Sequence, residues 1–212
     1  MSDVQLLNKL FSKALRDLPA GLYFAAEYPV NGDRSTLHVA GRLAARRALK
    51  EAGFKGAAAL PVNEQGAPDW PMGWLGSISH SKGVCLAVVA RNDQFSALGI
   101  DLEHFGRMRH QTVSRIAADA ELAQIAESNI PDQGTVLFSL KEAFYKAQHP
   151  QFKSSPRFHD LQLKWSAEQS RASIIGISGV VEKELQPFCQ SVAIYAWIDN
   201  ERVLSVAFSP FN

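Results

Sequence analysis

Two apolar runs joined by a polar turn constrain this fold more than any other part of the chain. Cys85-Leu86-Ala87-Val88-Val89-Ala90 leads through Arg91-Asn92-Asp93-Gln94 into Phe95-Ser96-Ala97-Leu98-Gly99-Ile100-Asp101-Leu102-Glu103. Stretches of this length and apolar density, bounded by turn residues, read as two buried strands. The second one closes on two carboxylates. Residues two apart in an extended chain share a side, so Asp101 and Glu103 point the same way. Like charges at the end of a buried strand are costly unless something compensates them. A hard divalent cation, which takes oxygen ligands, is the obvious compensator. Taken alone, Asp-x-Glu reads more readily as a solvated strand end, and the pair needs support from elsewhere in the chain.

A chain of 212 residues forms one large domain or two of about 100 each. With 46% hydrophobic and 20% charged residues it buries an ordinary globular core. A net charge of +1 creates no global field towards nucleic acid or an anionic membrane, so any polyanion site is a local cluster. No apolar run approaches the roughly 18 to 20 residues that span a bilayer. The start, Met1 to Leu18, carries Asp3 and Lys9 among its leucines and lacks the basic-then-apolar pattern of a signal peptide. Cys85 and Cys189 are far apart, without C-x-x-C spacing, so disulfide and zinc readings are weak. A cytoplasmic protein is expected.

Apolar spacing predicts a helix over residues 4–18, a strand over 22–26 and a second helix from Ser35 to Ala52, stopped by Gly53. Arg42 and Arg46 on that helix are four apart and share a face. They form either a solvated basic face or a clamp for phosphate, which the planar arginine fork suits. Residues 57–74, with Pro61, Pro68, Pro71, Trp70 and Trp74, are expected to pack as an ordered loop, and Gly76-Ser77-Ile78-Ser79-His80-Ser81 as a loop offering hydroxyls and an imidazole to phosphate. Residues 104–110 are the best boundary, with short helices expected over 113–118 and 120–128. A helix is predicted from Asp132, its N-cap behind Pro131, to Gln148, with Val136, Leu137, Leu140, Phe144 and Ala147 as the buried stripe. Lys141, Glu142 and Lys146 lie off that stripe; Glu142 and Lys146 are either a plain i, i+4 ion pair or a presented site. Strands are expected over 161–165, 172–177, 191–197 and 203–208, the last two paired across Asp199-Asn200-Glu201. Each half thus has a helix followed by strands, which suits a duplicated α+β unit.

Four blocks, in order, resemble one family: Ala40-Gly41-Arg42-Leu43-Ala44-Ala45-Arg46; Trp70-Pro71-Met72-Gly73 leading into Gly76-Ser77-Ile78-Ser79-His80; Gly99-Ile100-Asp101-Leu102-Glu103; and Phe138-Ser139-Leu140-Lys141-Glu142-Ala143-Phe144-Tyr145-Lys146-Ala147. The chain is similar to phosphopantetheinyl transferases of the large, pseudo-duplicated class, of the enterobactin-synthase (siderophore) type. The acidic strand end and the W/F-x-x-K-E-x-x-x-K helix about 40 residues further on are specific together; the first 30 and last 60 residues match only in general character.

The resemblance implies an α+β fold with pseudo-twofold duplication. Two similar α/β halves, residues 1–108 and 109–212, each pack a helix on a small, mostly antiparallel sheet, with the active site in the cleft between them. It implies transfer of 4′-phosphopantetheine from coenzyme A to a serine of an apo acyl or peptidyl carrier protein by a monomer. Asp101, Glu103 and Glu142 would hold Mg²⁺, or Mn²⁺ in its place, with Glu142 also the general base and Lys146 and Asp101 completing the catalytic group. Arg42, Arg46, Ser79, His80, Lys141 and Lys146 would bind the coenzyme A phosphates. This requires Glu142 to lie within metal-bridging reach of the Asp101–Glu103 pair. Basic residues common in relatives before the Trp70-Pro71 segment are missing from Asn63-Glu64-Gln65-Gly66-Ala67-Pro68, and the region before Arg42 offers only Arg34 and His38. The alternative is a non-catalytic scaffold of the same fold that binds a carrier or nucleotide; a metal-dependent phosphohydrolase is a third reading. Arg107 and Arg109 would form a basic rim that steers an acidic carrier.

Overall fold

The computed structural model describes residues 3–30, 32–57, 59–63, 66–127, 130, 132–152, 156–179 and 182–211. Pro131, Glu64 and Gln65, which entered the sequence reading, lie outside the described residues. The order is α1 (Asp3–Asp17), β1 (Tyr23–Glu27), α2 (Arg34–Glu51), β2 (Trp74–Ser81), β3 (Val84–Arg91), β4 (Phe95–His104), α3 (His110–Val113), α4 (Asp119–Glu127), α5 (Gln133–Phe152), β5 (Leu161–Ser166), β6 (Arg171–Ile177), α6 (Glu182–Ser191), β7 (Ala193–Ile198) and β8 (Arg202–Pro210). Among the described residues, β1-β3-β2 form one antiparallel sheet and β4-β8-β7-β6-β5 another. No helix among them is long and apolar enough to cross a membrane.

The two apolar runs are β3 and β4, and they do not pair with each other. The Asn92–Gln94 turn carries the chain from the small sheet into the large one. β3 is apolar along its length because both its faces are covered. Ala87 and Val89 meet Ala44, Ala45, Ala48 and Leu49 of α2, while Leu86 and Val88 meet Ile100, Leu102, Leu204 and Val206 of the large sheet. α5 covers that sheet's other face, setting Leu140, Ala143, Phe144 and Ala147 against Ile194, Val203 and Ala207. The stack is therefore α2, small sheet, large sheet, α5. The passage between sheets falls before β4, which pairs with β8 in the large sheet.

Three sequence expectations differ from the structure. Gly76–Ser81 is not a loop but most of β2, paired with β3 from Trp74↔Arg91 to Ser81↔Val84. The short helix expected at 113–118 is a single turn at His110–Val113, and α6 was not expected. α6 carries an internal Pro187, yet buries Leu185 and Phe188 three residues apart. Asp132 does cap α5, its Oδ1 accepting from the Thr135 amide at 3.2 Å, and Asp33 caps α2 through the amides of Ser35 and Thr36.

Gly99 sets how closely α5 approaches β4. A Cβ there would land on the carbonyl oxygen of Ala143 and 2.6 Å from the amide nitrogen of Ala147, both backbone atoms that move only with the helix. Gly99→Ala should cost about 3 kcal/mol by forcing the helix off the strand. Urea unfolding reads this directly; an unchanged midpoint would mean α5 has slack over β4.

Candidate functional site

Asp101 and Glu103 leave β4 on the face that α5 covers, and Glu142 and Lys146, one turn apart on α5, face them. Asp101 is 3% exposed. Its Oδ1 accepts from Lys146 Nζ at 2.7 Å and from Ser79 Oγ at 3.0 Å. Lys146 Nζ also donates to the Ile100 carbonyl at 3.1 Å. Asp101 Oδ2 is buried with no hydrogen-bond partner. Arg107, exposed beyond the strand end, holds its Nε 3.7 Å from Glu103 Oε1, and its guanidinium stands over the Phe138 ring at 5.5 Å.

The group carries more negative charge than its cations balance. Burial pushes the Glu142 carboxyl above its usual range and Asp101 adds to the rise, against the pull of Lys146 and Arg107. Glu103 is pushed up to about 7, by burial first and then by Asp101, with Glu142 adding and Arg107 and Lys146 opposing. Three carboxylates from β4 and α5 thus act on one another. An anionic oxygen buried without a donor, beside two acids that resist ionising, is the environment a hard cation relieves. These residues fit a divalent ion in chemistry. Even so, among the described residues no group of three His, Cys, Asp or Glu side chains is arranged to hold a metal ion. Asp101 is drawn instead to Lys146, and what ties Glu142 to the Asp101–Glu103 pair is their electrostatic influence on one another.

The raised Glu103 has a consequence for stability. Its side chain is 13% exposed. Between about pH 4.5 and 7 the folded chain holds a proton that the unfolded chain has released. The stability tied to protonated Glu103 is therefore complete below pH 4.5 and is lost as pH rises through 7. It amounts to roughly 3 kcal/mol. Denaturant unfolding should show wild type losing stability across that window relative to Glu103→Gln; parallel curves would contradict the shift.

A second assembly lies on the far side of β2. Arg34, His38, Gly41, Arg42, Ile78 and His80 line a pocket of about 150 Å³. Arg42 Nε is buried there without a hydrogen-bond partner, and burial lowers the pKa of its guanidinium. Gly41 lets α2 approach β2 this closely, since a Cβ would meet Ile78 Cγ2 at 2.9 Å. Two arginines and two histidines around a concave surface have the chemistry that suits an anion. Arg42 and His80 were expected here; Arg34 and His38 were noted only as sparse basic residues. Their spacing with Arg42, at i, i+4 and i+8, was the available signal.

Other expected residues lie elsewhere. Strand alternation turns Ser79 away from His80 and towards Asp101. Arg46 lines a separate open groove with Lys50 and Lys55. Lys141 is 2% exposed, and its ammonium donates to Glu121 Oε2 at 2.7 Å, to the Phe158 carbonyl at 2.7 Å and to the Ile116 carbonyl at 2.8 Å. Those three bonds use all of its protons, so Lys141 is an internal tether with none left for a phosphate.

A family model described as the 4′-phosphopantetheinyl transferase superfamily matches residues 97–206. One described as the 4′-phosphopantetheinyl transferase N-terminal domain matches residues 33–90. Enterobactin synthase component D of Salmonella typhi is 36% identical over 121 residues, 54% of this chain and 48% of that protein. Enterobactin synthase component D of Escherichia coli is 34% identical over 141 residues, 64% of this chain and 65% of that protein. The 4′-phosphopantetheinyl transferase PptT of Mycobacterium tuberculosis is 33% identical over 132 residues, 61% and 57% respectively. The chain spans about half to two thirds of the length of these relatives.

Proposed function

The chain belongs to the 4′-phosphopantetheinyl transferase superfamily, and from that premise we propose that it moves the 4′-phosphopantetheine arm of coenzyme A onto a serine hydroxyl of an apo acyl or peptidyl carrier protein, releasing 3′,5′-ADP. The observation that carries this reading is the meeting of Asp101 and Glu103 on β4 with Glu142 and Lys146 on α5. The two α/β units are pseudo-twofold relatives within a monomer of the cytoplasm, and the site is the cleft where they meet.

Each residue has work that its placement suits. Arg42, His80, Arg34 and His38 receive the anionic nucleotide end of coenzyme A in their pocket. Beside Glu142, a pocket of about 120 Å³ walled by Phe144, Tyr145, Pro156 and Phe158 suits the long, weakly polar pantetheine arm. Asp101, Glu103 and Glu142 would hold Mg²⁺ or Mn²⁺ against the pyrophosphate. Bound there, the ion would supply charge neutralisation to the pyrophosphate and the leaving phosphate. Lys146, held over Asp101, offsets negative charge on the transferring group. Glu142, whose pKa burial and Asp101 raise, takes the proton of the carrier serine as its oxygen attacks. The exposed Arg107 and Arg109 form the rim that meets an acidic carrier.

The test is a panel of apo carriers of different classes incubated with coenzyme A, Mg²⁺ and the protein. Mass spectrometry should show at least one carrier gaining the phosphopantetheine mass. No gain across the panel would overturn the transferase reading, and release of product from coenzyme A without any carrier would favour a hydrolase.

A further inference from the structure

β2 and β4 are the facing edges of the two sheets, and no backbone ladder joins them. Side chains close the seam. The Ile100 amide donates to Ser77 Oγ at 3.1 Å and the Leu102 amide to Ser79 Oγ at 3.2 Å. These two bonds satisfy amides that an edge strand would otherwise leave unpaired in the interior. Ser77 and Ser79 are 7% and 5% exposed.

The two serines are not equivalent. Ser79 Oγ also accepts from Lys146 Nζ at 3.3 Å and gives its own proton to Asp101 Oδ1 at 3.0 Å. A hydroxyl has one proton and two lone pairs, and all three are used. Nothing remains on it for a phosphate, and it faces away from the pocket of Arg42 and His80. The Ser79 hydroxyl and the Lys146 ammonium together occupy Asp101 Oδ1 and leave Oδ2 as its open oxygen.

We propose that Ser79 is a positioning residue which locks Asp101 and Lys146 in one geometry, with Asp101 Oδ2 presented to a divalent cation, and that it takes no part in binding coenzyme A. The inference rests on the transferase reading for its kinetic arm only. Partners that orient a metal ligand typically contribute 10- to 100-fold in metal affinity or activity. Ser79→Ala should therefore lower kcat about 10- to 100-fold and weaken Mn²⁺ binding, followed by electron paramagnetic resonance, by a similar factor. The calorimetric Kd for coenzyme A without metal should stay within about two-fold of wild type. Ser79→Thr keeps the hydroxyl in a residue that suits a strand and should recover most of both losses.

Ser77→Ala is the control. It removes the equivalent amide bond without touching Asp101 or Lys146, so it should lower stability but leave kcat and Mn²⁺ affinity unchanged. The proposal is overturned if Ser79→Ala raises the coenzyme A Kd ten-fold with kcat intact, which is the signature of a phosphate contact. It is also overturned if Ser77→Ala and Ser79→Ala lower kcat and Mn²⁺ affinity equally, which is a purely structural seam. Should wild type modify no carrier, the transferase reading fails on its own, and the Mn²⁺ and coenzyme A binding measurements still decide the role of Ser79.

Discussion

On the proposed reaction, Glu142→Gln should slow carrier modification about a thousand-fold, within the range set by losing a general base, and leave the fold intact. The substitution keeps the shape of a half-buried side chain. It also removes one of three mutually repelling carboxylates, and Asp101 is among the causes that raise the Glu142 pKa. Thermal unfolding should therefore be unchanged or slightly later than in wild type, while single-turnover transfer to an apo carrier collapses. The size of the loss follows from the two roles this carboxylate has in the proposed reaction, proton acceptor and ligand. A variant that keeps more than about a tenth of the wild-type rate would remove Glu142 from the chemistry.

Lys141→Met acts in the opposite way, on folding before chemistry. The Lys141–Glu121 pair is nearly inaccessible at both ends, with side-chain exposures of 2% and 1%. Burial lowers the lysine pKa, and Glu121 holds it back. Glu121 is itself fully engaged, taking the Ala118 amide on Oε2 at 2.8 Å and the Leu163 amide on Oε1 at 2.8 Å. One ion pair thus ties α5 to the start of α4, to β5 and, through the Phe158 carbonyl, to the wall of the pocket beside Glu142. Removing one partner of a buried pair strands the other, at about 3–5 kcal/mol. Urea unfolding should show a loss of that size. Lys141→Met with Glu121→Gln should recover part of it, because no charge is left stranded and the single amide oxygen still accepts from one of the two backbone amides that Glu121 serves. A single mutant as stable as wild type would contradict the tether.

The long helix was legible because its apolar stripe, from Val136 to Ala147, obeys the 3.6-residue period and so fixes which way Glu142 and Lys146 face. The run of β3 was legible for a similar reason, since burial on both faces leaves no polar position to interrupt it. β2 was read as a loop because Ser77, Ser79 and Ser81 look like turn chemistry. Their strand conformation comes from pairing with β3, and their hydroxyls have a purpose only opposite the amides of β4. Lys141 misled in the same manner. A cation off the buried stripe reads as solvated or ligand-bound, and its partner Glu121 lies 20 positions earlier on another helix. The resemblance named the family, but which serine, lysine or arginine faces which neighbour is decided by packing between sheets.

The account stands on one claim above the others: that carboxylates from β4 and α5 form a single cation-dependent site for coenzyme A. Calorimetric titration of coenzyme A into the protein, with and without millimolar Mg²⁺, tests it most directly. Wild type should bind at least about ten-fold more tightly with the ion, and both Asp101→Asn and Glu142→Gln should erase that difference while keeping the ion-free affinity set by Arg42 and His80. Equal affinity with and without Mg²⁺ in wild type would contradict it.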